Sequence, residues 1–347
     1  MQHTVLSVII PFFNGGSYLD ALVESIFKKN KEFVEFIEFI VVNDGSTDDS
    51  CIEYLELLKN KHDNIKIYSK PNGGIASART FGLQRATSEF VTFCDQDDKV
   101  VYGYKEYIEL LQISGADFLI SNYYIKCCNK QEINISIKKN EICEGESCIR
   151  LASKLLGGDL LEPGKLIQNV PPSVWNCIYR KSFIDANDLK FVKIMSYEDD
   201  WHFMLDSLCC AKKVLLNKGA YYEWFINDKS ESHTHHYRTN FVTRRLKLLQ
   251  YVADLLDKMP HISHEQILEF ENVLQKRSLL WGHWNALLKS YSEYSVEIKN
   301  IRATFRPKLS WCSLHDLTET VAILCLYCKM YRLAYFFNTK VVKRYYQ

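Results

Sequence analysis

The sequence predicts an α/β protein with a mostly parallel sheet flanked by helices, followed by an α-helical C-terminal region. Three observations support this prediction. Short apolar runs rich in β-branched residues alternate with amphipathic helical stretches in the first third of the chain. Clusters of Asn, Asp and Gly follow these apolar runs. In the last third of the chain, the apolar residues recur only at helical spacing.

The predicted strands and helices alternate in chain order. Short apolar runs predict buried strands, and apolar residues three and four positions apart predict helices. The strands are 5–10, 39–42, 64–68, 90–94 and 117–121, and the helices between them are 18–28, 51–58, 75–86 and 104–111. A later run, 220–226, predicts an edge strand. We therefore expect an α/β domain over residues 1–228 and a helical region over 229–347.

Composition limits the classes of function. The chain has 347 residues, of which 47% are hydrophobic and 24% charged, as in a folded globular protein. It carries 43 Lys and Arg against 42 Asp and Glu, a formal net charge of +1. Proteins that bind nucleic acid over a broad surface concentrate basic residues, so we do not expect nucleic acid to be a partner.

The twelve cysteines predict reduced thiols in a cytoplasmic protein. The first residues lack the basic and apolar segments of a signal peptide, and the spacing of the cysteines does not suggest a disulfide framework. Cys325 and Cys328 form a C-x-x-C pair within an apolar helical run. Because no second pair or neighbouring His completes a zinc set, we interpret both as apolar residues on one helix face.

Polar residues follow each of the first four strands, at the sheet edge where ligands bind in parallel α/β folds. The segments are 11–16, 43–46, 70–74 and 95–98. Asp95, Asp97 and Asp98 would repel one another unless a cation neutralises them. Carboxylate oxygens suit Mg²⁺ or Mn²⁺, especially when a substrate diphosphate completes the coordination shell. The alternative is a solvated acidic loop that caps a helix.

Asp44 has two interpretations. It can cap the helix that follows, although Asp48 would serve equally well. It can also accept the N3–H of a uracil base, which would favour uridine over cytidine. Gly73 and Gly74 would let the backbone approach a ligand closely, and a helix start near Arg79 suits anionic oxygen. The segment matches neither the Walker pattern nor the dinucleotide-binding G-x-G-x-x-G pattern.

Together these segments resemble the donor half of the inverting nucleotide-sugar glycosyltransferases of family 2, which have the GT-A fold. The matching stretches, in the family's order and spacing, are SVIIPFFNGGSYLDALVESI, FIVVNDGSTDDS, KPNGGIASARTFGL and FVTFCDQDD. The resemblance resumes at 172–183 and 196–203. It implies a Rossmann-like GT-A domain with a nucleotide-sugar donor half over residues 1–122 and an acceptor half over 123–228.

Carried over residue by residue, the resemblance implies a donor site. The donor-binding residues would be Pro11, Phe12, Asn14, Asp44, Gly73, Arg79, Asp95 and Asp97. Pro11, Phe12 and Asn14 would line the nucleoside pocket, and Arg79 would lie near the nucleobase or the diphosphate. Asp95 and Asp97 occupy the D-x-D positions, one toward the ribose and one toward the metal. Asp95, Asp97 and Asp98 are the metal candidates, and the choice between Asp97 and Asp98 stays open.

The resemblance also implies catalytic residues. Glu198 and Asp199 resemble the family's E-D motif, in which the second residue is the base. Glu198 would orient the acceptor or Asp199. Trp175 would stack on the acceptor sugar, although a buried aromatic is the alternative. The E-D segment can also be the acidic first turn of a helix, and both interpretations can hold at once. Many relatives carry Lys where this chain has Cys177, so a positive contact is missing or moved.

Two later segments have open interpretations. In the polar segment 227–237, where relatives close a lid over the donor, His233, His235 and His236 are candidates to approach the metal, and a solvated loop is the alternative. Residues 320–347 contain basic and aromatic residues but no acidic residue. This composition suits a helix at an anionic membrane surface, or a terminal helix packed on the domain. Lys329 and Arg332 interrupt the apolar run, which argues against a membrane-spanning segment.

We therefore expect a metal-dependent inverting transferase that uses Mn²⁺ or Mg²⁺ and moves a sugar from a UDP-sugar to a carbohydrate hydroxyl. The resemblance is to bacterial enzymes that extend lipid-linked surface glycans such as O-antigen or capsule, at the inner face of the cytoplasmic membrane. A sugar nucleotidyltransferase is an alternative, although the first loop lacks a basic residue to meet a triphosphate. A non-catalytic sugar-nucleotide-binding protein is an alternative of a different class.

Overall fold

The computed structural model describes residues 3–16, 18–127, 130–156, 170–192, 199–226, 240–257, 262–287, 289–307, 322 and 324–335. The chain forms two compact units. The first contains residues 1–155 and 167–233, and the second contains residues 156–166 and 234–347. The domain boundary at residue 228 stays a prediction.

One mixed sheet organises the first unit. Its strands are β1 Leu6–Phe12, β2 Ile37–Asn43, β3 Ile65–Ser69, β4 Phe90–Phe93, β5 Lys99–Val100, β6 Phe118–Cys127, β7 Lys130–Asn134, β8 Glu141–Glu144, β9 Cys177–Arg180 and β10 Lys213–Ile226. Their spatial order is β3-β2-β1-β4-β9-β6-β10-β5, with β7 beside β6 and β8 beside β10. The strands β3, β2, β1 and β4 run parallel, and β9 runs antiparallel between β4 and β6. The predicted α/β class with a mostly parallel sheet is confirmed.

The helices of the first unit alternate with these strands. They are α1 Tyr18–Lys29, α2 Asp49–Lys61, α3 Ile75–Leu83, α4 Lys105–Ser114, α5 Glu146–Leu156, α6 Lys181–Ala186 and α7 Asp199–Cys210. The apolar stripe of α1 is buried at Leu19, Leu22, Val23 and Ile26. Every residue of β1 and β2 is buried, which explains why these strands are apolar at nearly every position.

The structure corrects one strand prediction. Residues 220–226 are the second half of β10, and the prediction of an edge strand is wrong. β10 pairs with β6 along one side and with β5 and β8 along the other. A pattern of apolar residues predicts that a segment is extended. It does not predict which strands pair with that segment, because those strands are distant in sequence. The strand predicted at 117–121 also continues further, to Cys127.

The regular structure in the described residues of the second unit is helical, as predicted. Its helices include α8 Phe241–Asp257, α9 His264–Ala286 and α10 Tyr291–Thr304. A capping box formed by Ser290 and Glu293 begins α10. Buried residues of α9 and α10, including Tyr294, Ile298 and Ile301, form a core with Leu326. His283 contacts the Tyr294 hydroxyl at 2.8 Å, and burial lowers the pKa of His283 to about 3.

Two further observations concern the described part of the chain. Cys325 and Cys328 are reduced thiols, the first buried and the second exposed. None of the described helices combines the length and the apolar character needed to cross a membrane.

Candidate active site

The carboxyl ends of β1 to β4 meet at one edge of the sheet. Phe12 at the end of β1 is in register with Asn43 at the end of β2, which is in register with Ser69 at the end of β3. Ile9 of β1 is in register with Phe93 at the end of β4. The segments that follow these strands are loop 1 (residues 13–16), loop 2 (44–48), loop 3 (70–74) and loop 4 (94–98). They lie side by side in the order 3, 2, 1, 4.

Asp44 of loop 2 holds loop 3. Its side chain is buried, and it accepts hydrogen bonds from the backbone N–H of Gly73 at 3.0 Å and of Gly74 at 2.7 Å. The Lys70 ammonium also donates to it. Gly74 precedes α3 with a φ of 85°, a conformation that glycine adopts without strain. The Gly73 N–H also lies 3.2 Å from the second oxygen of Asp44, so each carboxylate oxygen faces two protein donors.

Asn14 of loop 1 holds loop 2. Its Oδ1 accepts from the backbone N–H of Thr47 at 3.0 Å and of Asp48 at 3.3 Å. Its own backbone N–H donates to Ser46 Oγ at 3.0 Å. Asn14 has a φ of 48°, a left-handed conformation in which Asn is enriched. The side chain predicted to line the nucleoside pocket therefore shapes the neighbouring loop.

The residues at the end of β1 divide between core and surface. Phe12 is 1% exposed and belongs to the core of the unit, and Pro11 is buried as well. Phe13 is 44% exposed. Of the three residues predicted to line the nucleoside pocket, Pro11 and Phe12 are buried and Asn14 is exposed. The accessible ring is that of Phe13, the first residue after the buried strand β1.

Gln96 of loop 4 holds loop 1. Its Oε1 accepts from the backbone N–H of Phe13 at 3.0 Å, and its Nε2 donates to the Phe13 carbonyl oxygen at 3.2 Å. Loop 4 is thus joined to loop 1 by Gln96, loop 1 to loop 2 by Asn14, and loop 2 to loop 3 by Asp44.

Asp98 anchors loop 4 to β10. The side chain is 1% exposed, and it accepts from the Tyr222 hydroxyl at 2.7 Å and from the Phe225 backbone N–H at 2.8 Å. The Tyr222 oxygen in turn accepts the Asp95 backbone N–H at 2.9 Å. Burial, together with the charges of Asp95 and Asp97, raises the pKa of Asp98 well above its ordinary range. Both oxygens of Asp98 therefore face protein donors.

Loop 4 can offer a metal ion only a few protein ligands. The Asp98 carboxylate is engaged by β10, and Asp95 Oδ1 accepts from Arg79 at 2.6 Å. Asp97 is partly exposed. Within the described ranges, no three His, Cys, Asp or Glu side chains are grouped closely enough to hold a metal by themselves. Mg²⁺ is commonly bound by one or two carboxylates together with substrate phosphates, and Asp97 is the best-placed carboxylate for such a site.

Arg79 of α3 is a buried guanidinium among three carboxylates. The residue is 1% exposed. Its Nη2 lies 2.6 Å from Asp95 Oδ1, and its Nη1 lies 3.0 Å from Asp199 Oδ2 and also contacts Asp200. Burial alone would lower the pKa of Arg79, but the charges of Asp200, Asp95 and Asp199 raise it. The charged guanidinium therefore connects loop 4 with the start of α7.

Two aspartates begin α7. The N-terminal end of a helix favours negative charge, and Asp199 and Asp200 occupy its first two positions. Asp199 is 7% exposed. Burial raises the pKa of Asp200 to about 7 against the opposing charge of Arg79, and Asp199 and Asp95 add to the rise. Asp200 is therefore only partly ionised at neutral pH.

The structure places Trp175 in an aromatic cluster. Its side chain is 7% exposed, and its ring stacks on Tyr222 with centroids 4.6 Å apart and contacts the edge of Tyr123 at 4.7 Å. This burial favours the alternative of a core aromatic over stacking on an acceptor sugar. Cys177 is fully buried in β9, so a Lys at that position would have to be accommodated in the core.

The sequence predicts no role for four residues of this region: Phe13, Gln96, Asp200 and Tyr222. The position of Phe13 directly after the apolar run, inside a segment that the sequence marks as polar, is a signal that could have found it. Gln96 and Asp200 lie inside motifs that the sequence singled out. Tyr222 carries no such signal, because it is 124 residues away from Asp98 in sequence. Glu198, His233, His235 and His236 lie outside the described residues.

Comparisons with known proteins place this chain beside glycosyltransferases. Residues 7–155 match the family model described as glycosyl transferase family 2. The chain is 27% identical over 277 residues to the uncharacterized glycosyltransferase YibD of Escherichia coli (strain K12), with 76% of each chain covered. It is 26% identical over 325 residues to the minor teichoic acid biosynthesis protein GgaB of Bacillus subtilis (strain 168). That alignment covers 92% of this chain but only 34% of GgaB.

The fold is shared with a solved structure. Residues 1–349 of TarS from S. aureus, in complex with UDP-GlcNAc, superpose with a TM-score of 0.67 at 18% identity. The match covers 99% of this chain and 93% of the other. The GT-A architecture expected from the sequence is therefore confirmed.

Proposed function

We propose that this chain, whose residues 7–155 match the model of glycosyl transferase family 2, is a glycosyltransferase of that family and transfers a sugar from a UDP-sugar donor to a hydroxyl group of a surface-glycan acceptor, with inversion at the anomeric carbon. The observation that carries this proposal is the position of Arg79, whose guanidinium bonds a carboxylate of the acidic loop and the first carboxylate of α7. The Arg79 guanidinium thus bonds both the donor-side carboxylate of Asp95 and the acceptor-side carboxylate of Asp199.

The names of similar proteins support the donor and the acceptor class. The TarS structure contains UDP-GlcNAc, and GgaB is named for the biosynthesis of minor teichoic acid. We propose a UDP-sugar donor for this chain on that basis. The acceptor would be a lipid-linked surface glycan, such as an O-antigen or capsule intermediate, or a teichoic acid chain.

On the donor side, we assign the nucleobase contact to Phe13 and Asp44. The exposed ring of Phe13 can stack on a base, and Asp44 would accept the uracil N3–H in place of one of its present donors. Asp97 would hold Mg²⁺ or Mn²⁺ with the donor diphosphate. A bound divalent cation supplies positive charge that stabilises the leaving diphosphate.

On the acceptor side, we propose Asp199 as the general base. One oxygen of its carboxylate is held by Arg79 at 3.0 Å, and the other would accept the proton of the acceptor hydroxyl. The acceptor oxygen then forms a bond to the anomeric carbon as the bond to the diphosphate oxygen breaks. A single in-line displacement of this kind inverts the anomeric configuration.

A donor panel tests the proposed reaction. Purified protein is incubated with individual UDP-sugars and Mn²⁺ or Mg²⁺, with and without surface-glycan acceptors, and the released UDP is measured. We expect acceptor-dependent release with at least one UDP-sugar and its loss in excess chelator. Failure of every UDP-sugar, with every acceptor, would count against the reaction.

Asp199→Asn tests the base. Since a general base contributes about 10²- to 10⁴-fold to the rate, we expect kcat to fall by that factor, while the Kd for UDP stays within about twofold of the wild type. Asp185→Asn, at an exposed position on α6, is the matched control and should retain wild-type kcat. Wild-type turnover in Asp199→Asn would rule out this assignment.

We also propose that the protein works at the inner face of the cytoplasmic membrane. Among the described residues of the C-terminal region, Leu324, Met330 and Leu333 are 38–48% exposed, and Lys329 and Arg332 are exposed beside them. Exposed apolar side chains next to basic residues suit an anionic lipid surface. Binding to anionic but not to neutral vesicles is the expected result.

A further inference from the structure

Gln96 stands between the two aspartates of the D-x-D positions, and its side chain is directed away from them, toward loop 1. It makes two hydrogen bonds with the backbone of one residue, accepting the Phe13 N–H at 3.0 Å and donating to the Phe13 carbonyl oxygen at 3.2 Å. A carboxamide carries a donor and an acceptor side by side, as a peptide group does. Gln96 therefore pairs with Phe13 much as a neighbouring strand would.

The backbone around this pair leaves room for the Gln96 side chain. A Cβ atom added to Gly15 would lie 2.3 Å from Gln96 Oε1 and 2.9 Å from its Nε2. No side chain at position 15 is compatible with the observed position of the carboxamide. Gly15 is buried, so the carboxamide is enclosed on that side. Loop 1 is thus shaped to receive Gln96.

The residue that Gln96 fixes is the exposed aromatic residue of loop 1. Phe13 lies beyond the last residue of β1, and its ring is 44% exposed. An exposed ring on an unsupported loop would lose conformational freedom on binding a ligand, which weakens affinity. Two hydrogen bonds to its backbone remove part of that freedom beforehand.

We propose that Gln96 is a positioning residue for donor binding. It acts through Phe13, holding the ring that meets the nucleobase in a fixed position relative to Asp95 and Asp97, which flank Gln96 in loop 4. The nucleoside and the diphosphate would then be bound by two loops that behave as one rigid unit. This inference rests on the proposed function, because it takes a nucleoside diphosphate as the ligand.

Gln96→Met tests the proposal, because Met has a similar length but neither hydrogen-bonding group. We expect the Kd for UDP, measured by calorimetry, and the KM for the donor to rise about tenfold, with kcat within about twofold of the wild type. Gly15→Ala should give the same change by displacing the carboxamide. Gln112→Met, at an exposed position on α4, is the matched control and should leave both constants unchanged.

A double-mutant cycle tests whether Gln96 acts through Phe13. Phe13→Ala alone should raise the Kd for UDP, and adding Gln96→Met to it should change the Kd by less than about twofold, because coupled residues are not additive. A full tenfold effect of Gln96→Met in the Phe13→Ala background would overturn the proposal. An unchanged Kd and KM in Gln96→Met alone would also overturn it.

Amide hydrogen exchange supplies a readout that needs no ligand. The Phe13 N–H is bonded to Gln96, so its exchange should be about tenfold faster in Gln96→Met and unchanged in Gln112→Met. Unaltered exchange would overturn the pairing itself, even if the wild type transferred no sugar. Faster exchange with an unchanged KM would overturn the role in donor binding and leave the proposed transfer reaction intact.

Discussion

Arg79 meets Asp95, Asp199 and Asp200 with a single positive charge. Three carboxylates around one buried guanidinium leave an excess of negative charge, and a proton on one carboxylate relieves that excess. Asp200 is the group whose pKa rises, to about 7, because of its burial and its two acidic neighbours. A proton bound to Asp200 therefore relieves the excess negative charge, and the bond between Arg79 and Asp199 is kept.

This arrangement predicts a pH dependence of stability. The folded pKa of Asp200, about 7, lies above its ordinary value of 3.8, so the folded state binds this proton more tightly than the unfolded chain. The stability that this proton contributes is present at pH 5 and is lost as the pH rises through 7. Between pH 5 and pH 8, the wild type should lose roughly 2 kcal/mol more unfolding free energy than Asp200→Asn.

Urea denaturation of both proteins at pH 5 and pH 8 measures this difference. The comparison with Asp200→Asn cancels the contributions of groups that the two proteins share. Equal losses of unfolding free energy in the two proteins would show that Asp200 titrates normally.

At the scale of strands and helices, the buried carboxylate of Glu38 lies near the start of β2, at the side of the sheet opposite loops 1 to 4. Glu38 Oε1 accepts from the Ser7 hydroxyl at 2.6 Å and from the Thr87 backbone N–H at 2.7 Å. Its Oε2 lies 2.8 Å from the Lys66 ammonium. One side chain thus joins β1, β2, β3 and the segment between α3 and β4. Since loops 1 to 4 extend from the same strands, Glu38 supports the site from the far edge.

Glu38→Gln should destabilise the first unit in a pH-dependent way. Burial would raise the pKa of Glu38, but hydrogen bonds from Lys66, Ser7 and Thr87 lower it to about 2 from 4.5. The carboxylate therefore stabilises the fold above pH 4.5, and this contribution is lost as the pH falls toward 2. We expect Glu38→Gln to cost roughly 3 kcal/mol of unfolding free energy at pH 7 and progressively less below pH 4.5.

Lys66→Met is the control for the Glu38 prediction. Lys66→Met removes one of the groups that lower the Glu38 pKa and leaves Ser7 and Thr87 in place, so it should cost less than Glu38→Gln. Urea denaturation at pH 7 and at pH 3 measures both variants. A cost of Glu38→Gln that does not change with pH would contradict the assignment of an ionised carboxylate.

At the scale of the whole molecule, charge is distributed unevenly along a chain whose formal net charge is only +1. In the first unit, acidic residues gather in loop 4 and at the start of α7. In the C-terminal region, residues 320–347 contain basic residues and no acidic ones. A near-neutral net charge is therefore compatible with a local attraction to anionic lipid.

Vesicle co-sedimentation tests the proposed membrane contact. The full chain should bind vesicles containing phosphatidylglycerol and not vesicles of phosphatidylcholine alone, because basic residues near an anionic surface each contribute about 1 kcal/mol. The double variant Lys329→Glu with Arg332→Glu should bind at least about tenfold more weakly. The matched double variant, Lys299→Glu with Arg306→Glu, also reverses two exposed charges in the second unit and should bind normally. Equal binding to both kinds of vesicle, or equal loss in both variants, would contradict the proposal.

The sequence by itself determined the α/β class, the order of the first four strands along the chain, and the polar segments at their ends. These features are local, since apolar periodicity and turn residues are properties of a few consecutive positions. Asp44, Arg79 and Asp95 could be singled out for the same reason, and Asp199 through the resemblance of its segment to a family motif.

Only the tertiary structure decided which side chains meet. Arg79 bonds Asp199 across 120 residues of sequence, and Tyr222 bonds Asp98 across 124. The structure also showed that Asn14, Asp44 and Gln96 each hold the loop beside their own. Pairings of this kind depend on the order and direction of the strands in the sheet. Contacts between distant segments of the chain determine that order and direction, so no single segment of the sequence predicts them.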